Sequence, residues 1–418
     1  MVYHYPGYSI QELGSSRKRQ YQEASFDTFT CDTDAFAFIG SVLKKYSPER
    51  LHEYYEHCQR LETPPYEKVS DFCKGIFDEN PQRYAYYVKD SAVRHILRWA
   101  GQFPIDVRSV VLRETAFLLR RFFLPASVAS KQIAALLKEL IIYGGHPFSP
   151  SFLCKVNYLD IQKNKGSQKD ILKLIEDVLA AEHAIDIKKC GGSNVYFYVD
   201  DCVFTGNRVR NDLVPWINDV AAPGDRLEIF HLAIHRAGWE YAKKHIVAAA
   251  KSKGVSVNWS WILEFDNRKT SDSLFEMLWP QHTQYADVVA EYWQRTGQAE
   301  LDLGAYCRPR GSPATENLCS SPERRTIYER ALLEAGSRIV VAAKNPAPSM
   351  RPLGYEKLVS LGFASVFVSH RNISNNCPLA LWYGNPSYPQ GHPLGAWYPL
   401  IPRRVNKEAS VVAKLLWE

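Results

Sequence analysis

The stretch Tyr196-Phe197-Tyr198-Val199-Asp200-Asp201-Cys202-Val203-Phe204-Thr205-Gly206-Asn207-Arg208 decides how the rest of the chain is read. Val195 to Val199 is a continuous apolar and aromatic run, the pattern of a strand buried on both faces of a sheet. The run ends in two adjacent acids. After three more residues comes Thr205-Gly206, and a helix is predicted from about Val209 to Ala221. In an open parallel sheet, ligands sit in the crevice outside the carboxyl ends of the strands. Two carboxylates there can accept hydrogen bonds from neighbouring sugar hydroxyls. The loop after them offers backbone N–H groups, the Thr205 hydroxyl and a helix N-terminus to a phosphate. Gly206 allows close backbone approach or a positive φ. The stretch is therefore read as a cradle for ribose 5-phosphate. Asp200 and Asp201, the candidate catalytic residues, would hold the sugar hydroxyls, and Thr205, Gly206, Asn207 and Arg208 would hold the phosphate. The plainer alternative is an Asp-Asp pair that caps a turn and a Thr-Gly that makes one. Acids, spacing and strand context together favour the ligand site.

The flanking sequence supports a parallel sheet. Phe152–Leu159 reads as a strand and Lys169–Ala181 as a helix. Arg226–Ile234 and Val255–Phe265 read as strands, joined by a helix over Ala237–Lys253. Strands alternating with helices define the α/β class. Farther on, helices are expected over Gln284–Thr296 and Thr326–Leu333, and strands over Ser337–Ala342 and Phe363–Val368. The N-terminal part reads as helical instead. Ser47 and Pro48 open one helix, Pro81 opens another that runs to about Trp99, and Ile105–Phe123 and Ser127–Tyr143 follow. The expected organisation is a polar tail (1–30), an all-helical lobe (31–145), an α/β domain (146–405) and a short tail (406–418).

Bulk composition narrows the class without naming a function. The chain has 418 residues, 46% of them hydrophobic and 23% charged, which suits a globular protein of more than one unit. A net charge of +6 permits an anionic partner without requiring one. The nine cysteines are scattered and no two share a C-x-x-C spacing, which argues against a zinc site or a disulfide framework. No apolar run approaches the ~20 residues of a membrane span, and the first residues lack a secretory pattern. No membrane association and a cytoplasmic location are the expectations.

Other segments supply supporting candidates. Lys163-Asn164-Lys165-Gly166-Ser167-Gln168-Lys169 offers small residues, lysines and a following helix, so Lys165, Gly166 and Ser167 are candidates for a pyrophosphate loop. A solvated basic turn is the equal alternative. Arg371-Asn372-Ile373-Ser374-Asn375-Asn376 follows an expected strand. Arg371 can pair with a phosphate, and Asn372 and Asn376 can read a base edge, although a polar turn explains them too. His235 is a candidate acid or base whose plainer role is structural. The basic groups Arg17-Lys18-Arg19, Arg120-Arg121, Cys307-Arg308-Pro309-Arg310 and Arg403-Arg404 make a polyanion partner conceivable.

An apolar strand, two acids, three residues and then Thr-Gly resembles the ribose-phosphate motif of the type I phosphoribosyltransferases. Asp200, Asp201, Thr205 and Gly206 match it, and Arg208 stands where that motif has a hydroxyl residue. With the helical N-terminal part and the C-terminal run Arg371–Trp382 and Trp397–Arg404, the arrangement resembles the phosphoribosyltransferase-like effectors of bacterial conflict systems. Some of these accompany retron reverse transcriptases. The resemblance spans roughly residues 35 to 405. It implies a phosphoribosyltransferase-like α/β domain that binds phosphoribosyl pyrophosphate or a nucleotide, with Mg²⁺ held indirectly by Asp200 and Asp201. It further implies transferase activity or cleavage of a glycosidic bond. The role would be that of a toxin in anti-phage defence, partnered by a reverse transcriptase and its DNA–RNA product. Two other readings stand beside it: a non-catalytic nucleotide-sensing or scaffold module of a ribonucleoprotein, and a DNA-binding regulator built on the helical part.

Overall fold

A computed structural model describes residues 29, 31–46, 91–143, 150–162, 166–269, 275–296, 300–309, 318–343, 345–389 and 391–403. The helix starts expected at Ser47 and Pro81, the candidate Lys165, and the basic residues Arg17, Lys18, Arg19, Arg310 and Arg404 lie outside them. In chain order the elements are helices α1 (Asp32–Tyr46), α2 (Ser91–Ala100) and α3 (Arg108–Phe122), strand β1 (Phe123–Leu124), helix α4 (Ala126–Tyr143) and strand β2 (Asn157–Tyr158). Helix α5 (Ser167–His183), β3 (Val195–Val203), α6 (Asn207–Asp219), β4 (Arg226–His235), α7 (Arg236–Lys253) and β5 (Ser256–Phe265) follow. The chain continues with α8 (Asp287–Arg295), α9 (Pro322–Ala342), β6 (Val368–Ser369) and α10 (Leu379–Trp382).

The protein is mixed α/β, as the alternating pattern implies. Residues 126–275 form one compact unit, and residues 27–125 with 276–418 form the second. In the first unit β2, β3, β4 and β5 make a parallel sheet in that order, and helices connect consecutive strands. Parallel strands cannot be joined by a tight turn, so each crossover needs a long connection, and a helix covers the sheet while making it. Nine of the ten β4 residues are buried, as expected of a central strand. Helices α6 and α7 pack on one face of the sheet: Val209, Leu213 and Ile217 of α6 and Ala242, Ile246 and Ala250 of α7 share an apolar core with Tyr198, Leu227 and Ile229. Those helical residues recur at intervals of four, one stripe of each helix.

In the second unit α1, α2 and α3 belong with the C-terminal segment, and β1 pairs in parallel with β6. Trp99 donates its indole N–H to the Ala380 carbonyl, 2.8 Å away. His95 joins the Tyr398 hydroxyl at 2.6 Å and the Leu400 carbonyl at 2.7 Å. Among the described residues no helix is long and apolar enough to cross a membrane.

Three expected elements take another form. Phe152–Leu159 is a 3₁₀ helix over Pro150–Lys155 and only then a two-residue strand, because the chain runs alongside β3 just at Asn157 and Tyr158. The expected helix Thr326–Leu333 and strand Ser337–Ala342 are one helix, α9. Ser321 caps it by accepting from the Arg324 N–H at 3.2 Å. The β-branched run Ile339-Val340 stays helical because both residues are buried along with Leu332 and Leu333, so tertiary burial overrides local propensity. Gly336, mid-helix, lies against the Pro352 backbone, where a Cβ would come within 2.4 Å of the carbonyl oxygen. Of Phe363–Val368 only Val368 enters a strand.

Candidate functional site

Strand β3 is longer than its apolar run, and both acids lie inside it. Asp200 pairs in register with His231 of β4. Successive side chains of a strand point to opposite faces, which separates the acids. Asp200 is 3% exposed and shares its surroundings with Tyr198: Gln162 Nε2 donates to Asp200 Oδ2 at 2.8 Å and to the Tyr198 hydroxyl at 3.2 Å. The Ser167 hydroxyl and the Asp201 N–H, the latter at 2.8 Å, both donate to Asp200 Oδ1. Burial, and after it the Asp201 charge, raises the Asp200 carboxyl to about 7, against the pull of these three donors. Asp201 is half-buried, and its Oδ1 accepts from the Cys202 N–H at 2.7 Å. Asp200 is thus the anchored member of the pair and Asp201 the one that reaches the surface.

Thr205, Gly206, Asn207 and Arg208, the residues expected to hold a phosphate, sit at the start of α6. Gly206 has φ +76 and is the N-cap residue. Thr205, Asn207 and Arg208 are exposed around it, and Asn207 Nδ2 donates to Thr205 Oγ1 at 3.3 Å. A helix of 13 residues ends its dipole there with N–H groups that need acceptors. The loop is shaped from outside. A Cβ on Gly206 would lie 2.1 Å from the Gly238 carbonyl oxygen, and one on Gly238 would lie 2.0 Å from that of Phe204. The first turn of α7 therefore presses directly on the loop. The expected spacing of the motif holds, and Gly238 is a part of it that sequence reasoning missed.

The candidate pyrophosphate loop meets the acids through Ser167. Gly166 is the N-cap of α5, and Ser167, the first helical residue, gives its hydroxyl hydrogen to Asp200. Gln162, from the same loop, was also missed. A polar residue before a Lys-rich turn carries no signal of its own, and only the fold aims it at β3. Asp212 of α6 accepts from the Tyr198 hydroxyl at 2.9 Å and extends this network, with its carboxyl pushed up by burial.

His235 is not an acid–base group. It stacks between Phe204 and Phe265, with centroids 4.9 and 5.0 Å away, and burial lowers its pKa to about 3. Nδ1 lies 3.0 Å from the Val203 carbonyl, so it carries the hydrogen and cannot take one from the Cys202 thiol 3.6 Å away. Arg371, Asn372 and Asn376 belong to the second unit. Asn372 Oδ1 accepts from the Ile373 N–H at 3.0 Å and lies 3.3 Å from the Tyr46 hydroxyl, and Asn376 Nδ2 donates to the Tyr355 carbonyl at 2.8 Å. These two side chains hold their own loop.

Among the described residues no group of three or more His, Cys, Asp or Glu is placed to hold a metal ion. Mg²⁺ commonly binds one or two carboxylates and takes its remaining oxygens from water and substrate. The half-exposed Asp201 fits that need; Asp200, already accepting three hydrogen bonds, fits the role of support.

No curated protein and no solved structure matches the chain. The model of one family, described as PRTase-CE, matches residues 96–403, a span that contains the acid pair, the Thr-Gly loop and the C-terminal run. With well over half of its length matched, the chain belongs to the phosphoribosyltransferase-like PRTase-CE family.

Proposed function

We propose that the carboxyl end of β3 and the start of α6 bind a ribose 5-phosphate group, as phosphoribosyl pyrophosphate or a nucleotide. The observation that carries this is the single short path from Asp200-Asp201 to the left-handed Gly206 at the head of α6. It sets hydroxyl acceptors near the end of a strand and a phosphate cradle on the loop that follows. Asp201 takes the ribose hydroxyls or a Mg²⁺ ion, and Asp200 positions it through the backbone it accepts from. Thr205, Asn207 and the N–H groups of α6 take the phosphate, and Arg208 adds a cation beside them. The bond that breaks is the one at the anomeric carbon, and nearby oxygens stabilise the cation-like transition state. When bound, Mg²⁺ supplies charge neutralisation of the leaving pyrophosphate.

A second reading, a nucleotide sensor or scaffold without turnover, is favoured by two facts. Arg208 occupies the place of the expected hydroxyl, and Asp200 is buried in protein hydrogen bonds. Calorimetry with phosphoribosyl pyrophosphate and Mg²⁺, followed by product analysis, separates the two. Binding with product supports the enzyme and binding without product the sensor, while no binding of any ribose phosphate removes both. The resemblance to conflict-system effectors supports a role in anti-phage defence beside a reverse transcriptase and its DNA–RNA product. Co-purification with that complex tests it.

A further inference from the structure

Two cysteines distant in sequence meet at the entry to β3. Cys154 lies in the 3₁₀ helix Pro150–Lys155, and Cys190 follows the 3₁₀ turn Ile187–Lys189; both belong to the first unit. The segment after Cys190 is laced to the segment that starts at Cys154. The Gly191 N–H donates to the Cys154 carbonyl at 2.8 Å. The Ser193 N–H and hydroxyl both donate to the Lys155 carbonyl, at 3.0 and 2.7 Å. Asn157 closes the join, its Oδ1 accepting from the Gly192 N–H at 3.2 Å and its Nδ2 donating to the Ser193 carbonyl at 2.7 Å. Covalent bond lengths on either side of the Gly191 contact keep the two cysteine Cα atoms within about 7.6 Å even along a straight path, and nearer along a bent one. Disulfides span about 4.4–6.8 Å between Cα atoms. Cys154 is exposed, and Cys190 is half-buried with its thiol 3.5 Å from the Asp186 carbonyl. Burial first and the Cys154 charge next raise the Cys190 thiol, and after burial both cysteines raise the Tyr158 hydroxyl beside them.

We propose that Cys154 and Cys190 are a redox pair, a modification site that a hydroperoxide converts to a reversible disulfide. The exposed Cys154 reacts first. Its thiolate attacks the peroxide, an S–O bond forms, the O–O bond breaks, and the departing hydroxide takes a proton to become water. Cys154 is then a neutral sulfenic acid and no longer opposes ionisation of Cys190. The Cys190 sulfur attacks that of Cys154, the S–O bond breaks, and hydroxide leaves with the Cys190 proton as a second water. Two thiols lose two electrons in all, and one peroxide is reduced to two waters. The loop so closed, residues 154–190, carries Gln162 and Ser167, the residues that donate to Asp200. Oxidation therefore restrains the support of Asp200 through the chain and not by a new contact with it. The proposal does not rest on the ribose-phosphate reading of β3 and α6.

The test treats the reduced full chain with hydrogen peroxide, alkylates the remaining thiols and maps tryptic peptides by mass. The peptide ending at Lys155 should appear linked to the one beginning at Cys190, and dithiothreitol should release it. The second peptide also holds Cys202. The link should therefore vanish in Cys190→Ser and persist in Cys202→Ser, and fragment ions of the linked peptide draw the same distinction if the latter fails to fold. In Cys190→Ser the oxidised Cys154 lacks its resolving thiol and should be trapped by dimedone, a reagent for sulfenic acids. Oxidation should raise the melting temperature of the wild type by several degrees and leave that of Cys154→Ser unmoved, because the cross-link restricts the unfolded chain. Two thiols that stay open to alkylation, a link from Cys154 to Cys202 or to a second molecule, or sulfinic acid without a link overturns the proposal. A linked protein with an unmoved melting temperature overturns the restraint.

Discussion

Gly206 and Gly238 meet backbone to backbone, so the loop that starts α6 and the first turn of α7 are built to a separation that no side chain can enter. Gly206 also needs its positive φ of +76. Gly206→Ala therefore meets both a left-handed penalty and a clash, together about 2–5 kcal/mol of unfolding free energy. Gly238→Ala, in helical backbone, meets the clash alone, about 1–3 kcal/mol. Urea titrations of both variants check this ordering. An alanine at 206 that costs no more than an ordinary surface change would show that the contact does not shape the loop.

If the β3 acids hold ribose hydroxyls, Asp201→Asn should weaken binding of phosphoribosyl pyrophosphate with Mg²⁺ by roughly 10- to 100-fold, the value of a lost charge-assisted hydrogen bond. Ser167→Ala should have a smaller effect if the Ser167 hydroxyl acts through Asp200, to which it donates. Calorimetry measures both. Equal effects would assign Ser167 a direct contact.

The Asp200 carboxyl, raised to about 7 from an ordinary 3.8, keeps its proton in the folded protein over a range in which the unfolded chain has already lost it. The folded state binds more protons there. Its contribution to stability is thus complete below the ordinary value and falls as pH rises toward about 7. Asp200→Asn should flatten that slope in denaturation curves taken across the range. Ligand affinity should move the opposite way and increase as Asp200 ionises. A variant with the wild-type slope would mean that Asp200 titrates normally.

His95 works in the other direction. The Leu400 carbonyl can only accept, so His95 Nε2 carries the hydrogen and Nδ1 accepts from the Tyr398 hydroxyl. Burial lowers its pKa from 6.5 to about 4, and the stability this neutral ring contributes is lost as pH falls through that window. Tyr398→Phe leaves Nδ1 buried without a donor and should cost about 1–3 kcal/mol at neutral pH. In acid the hydroxyl can turn and accept from the charged ring, so the deficit should persist or grow. A variant as stable as the wild type at neutral pH would show that this hydrogen bond contributes nothing.

The local structure around the candidate site was legible in the order of residues alone. An apolar run ending in Asp200-Asp201, then Thr205-Gly206 before a helix, requires no long-range information, because strand, turn and helix signals are all nearest-neighbour physics. The alternation of strands and helices from Val195 to Phe265 was legible for the same reason, and its parallel sheet followed from connection lengths. What the chain order does not contain is which distant backbone or side chain closes on each element. Ile339-Val340 reads as strand by propensity and is helical by burial. Gln162, Ser167 and Gly238 are ordinary residues until folding sets the first two on Asp200 and the third on the loop of Gly206. Tyr46 meets Pro402 and Asn372 across more than 300 positions. The motif placed the acids, and the tertiary structure gave them different surroundings, because burial and hydrogen-bond partners are properties of packed neighbours and not of the sequence that carries them.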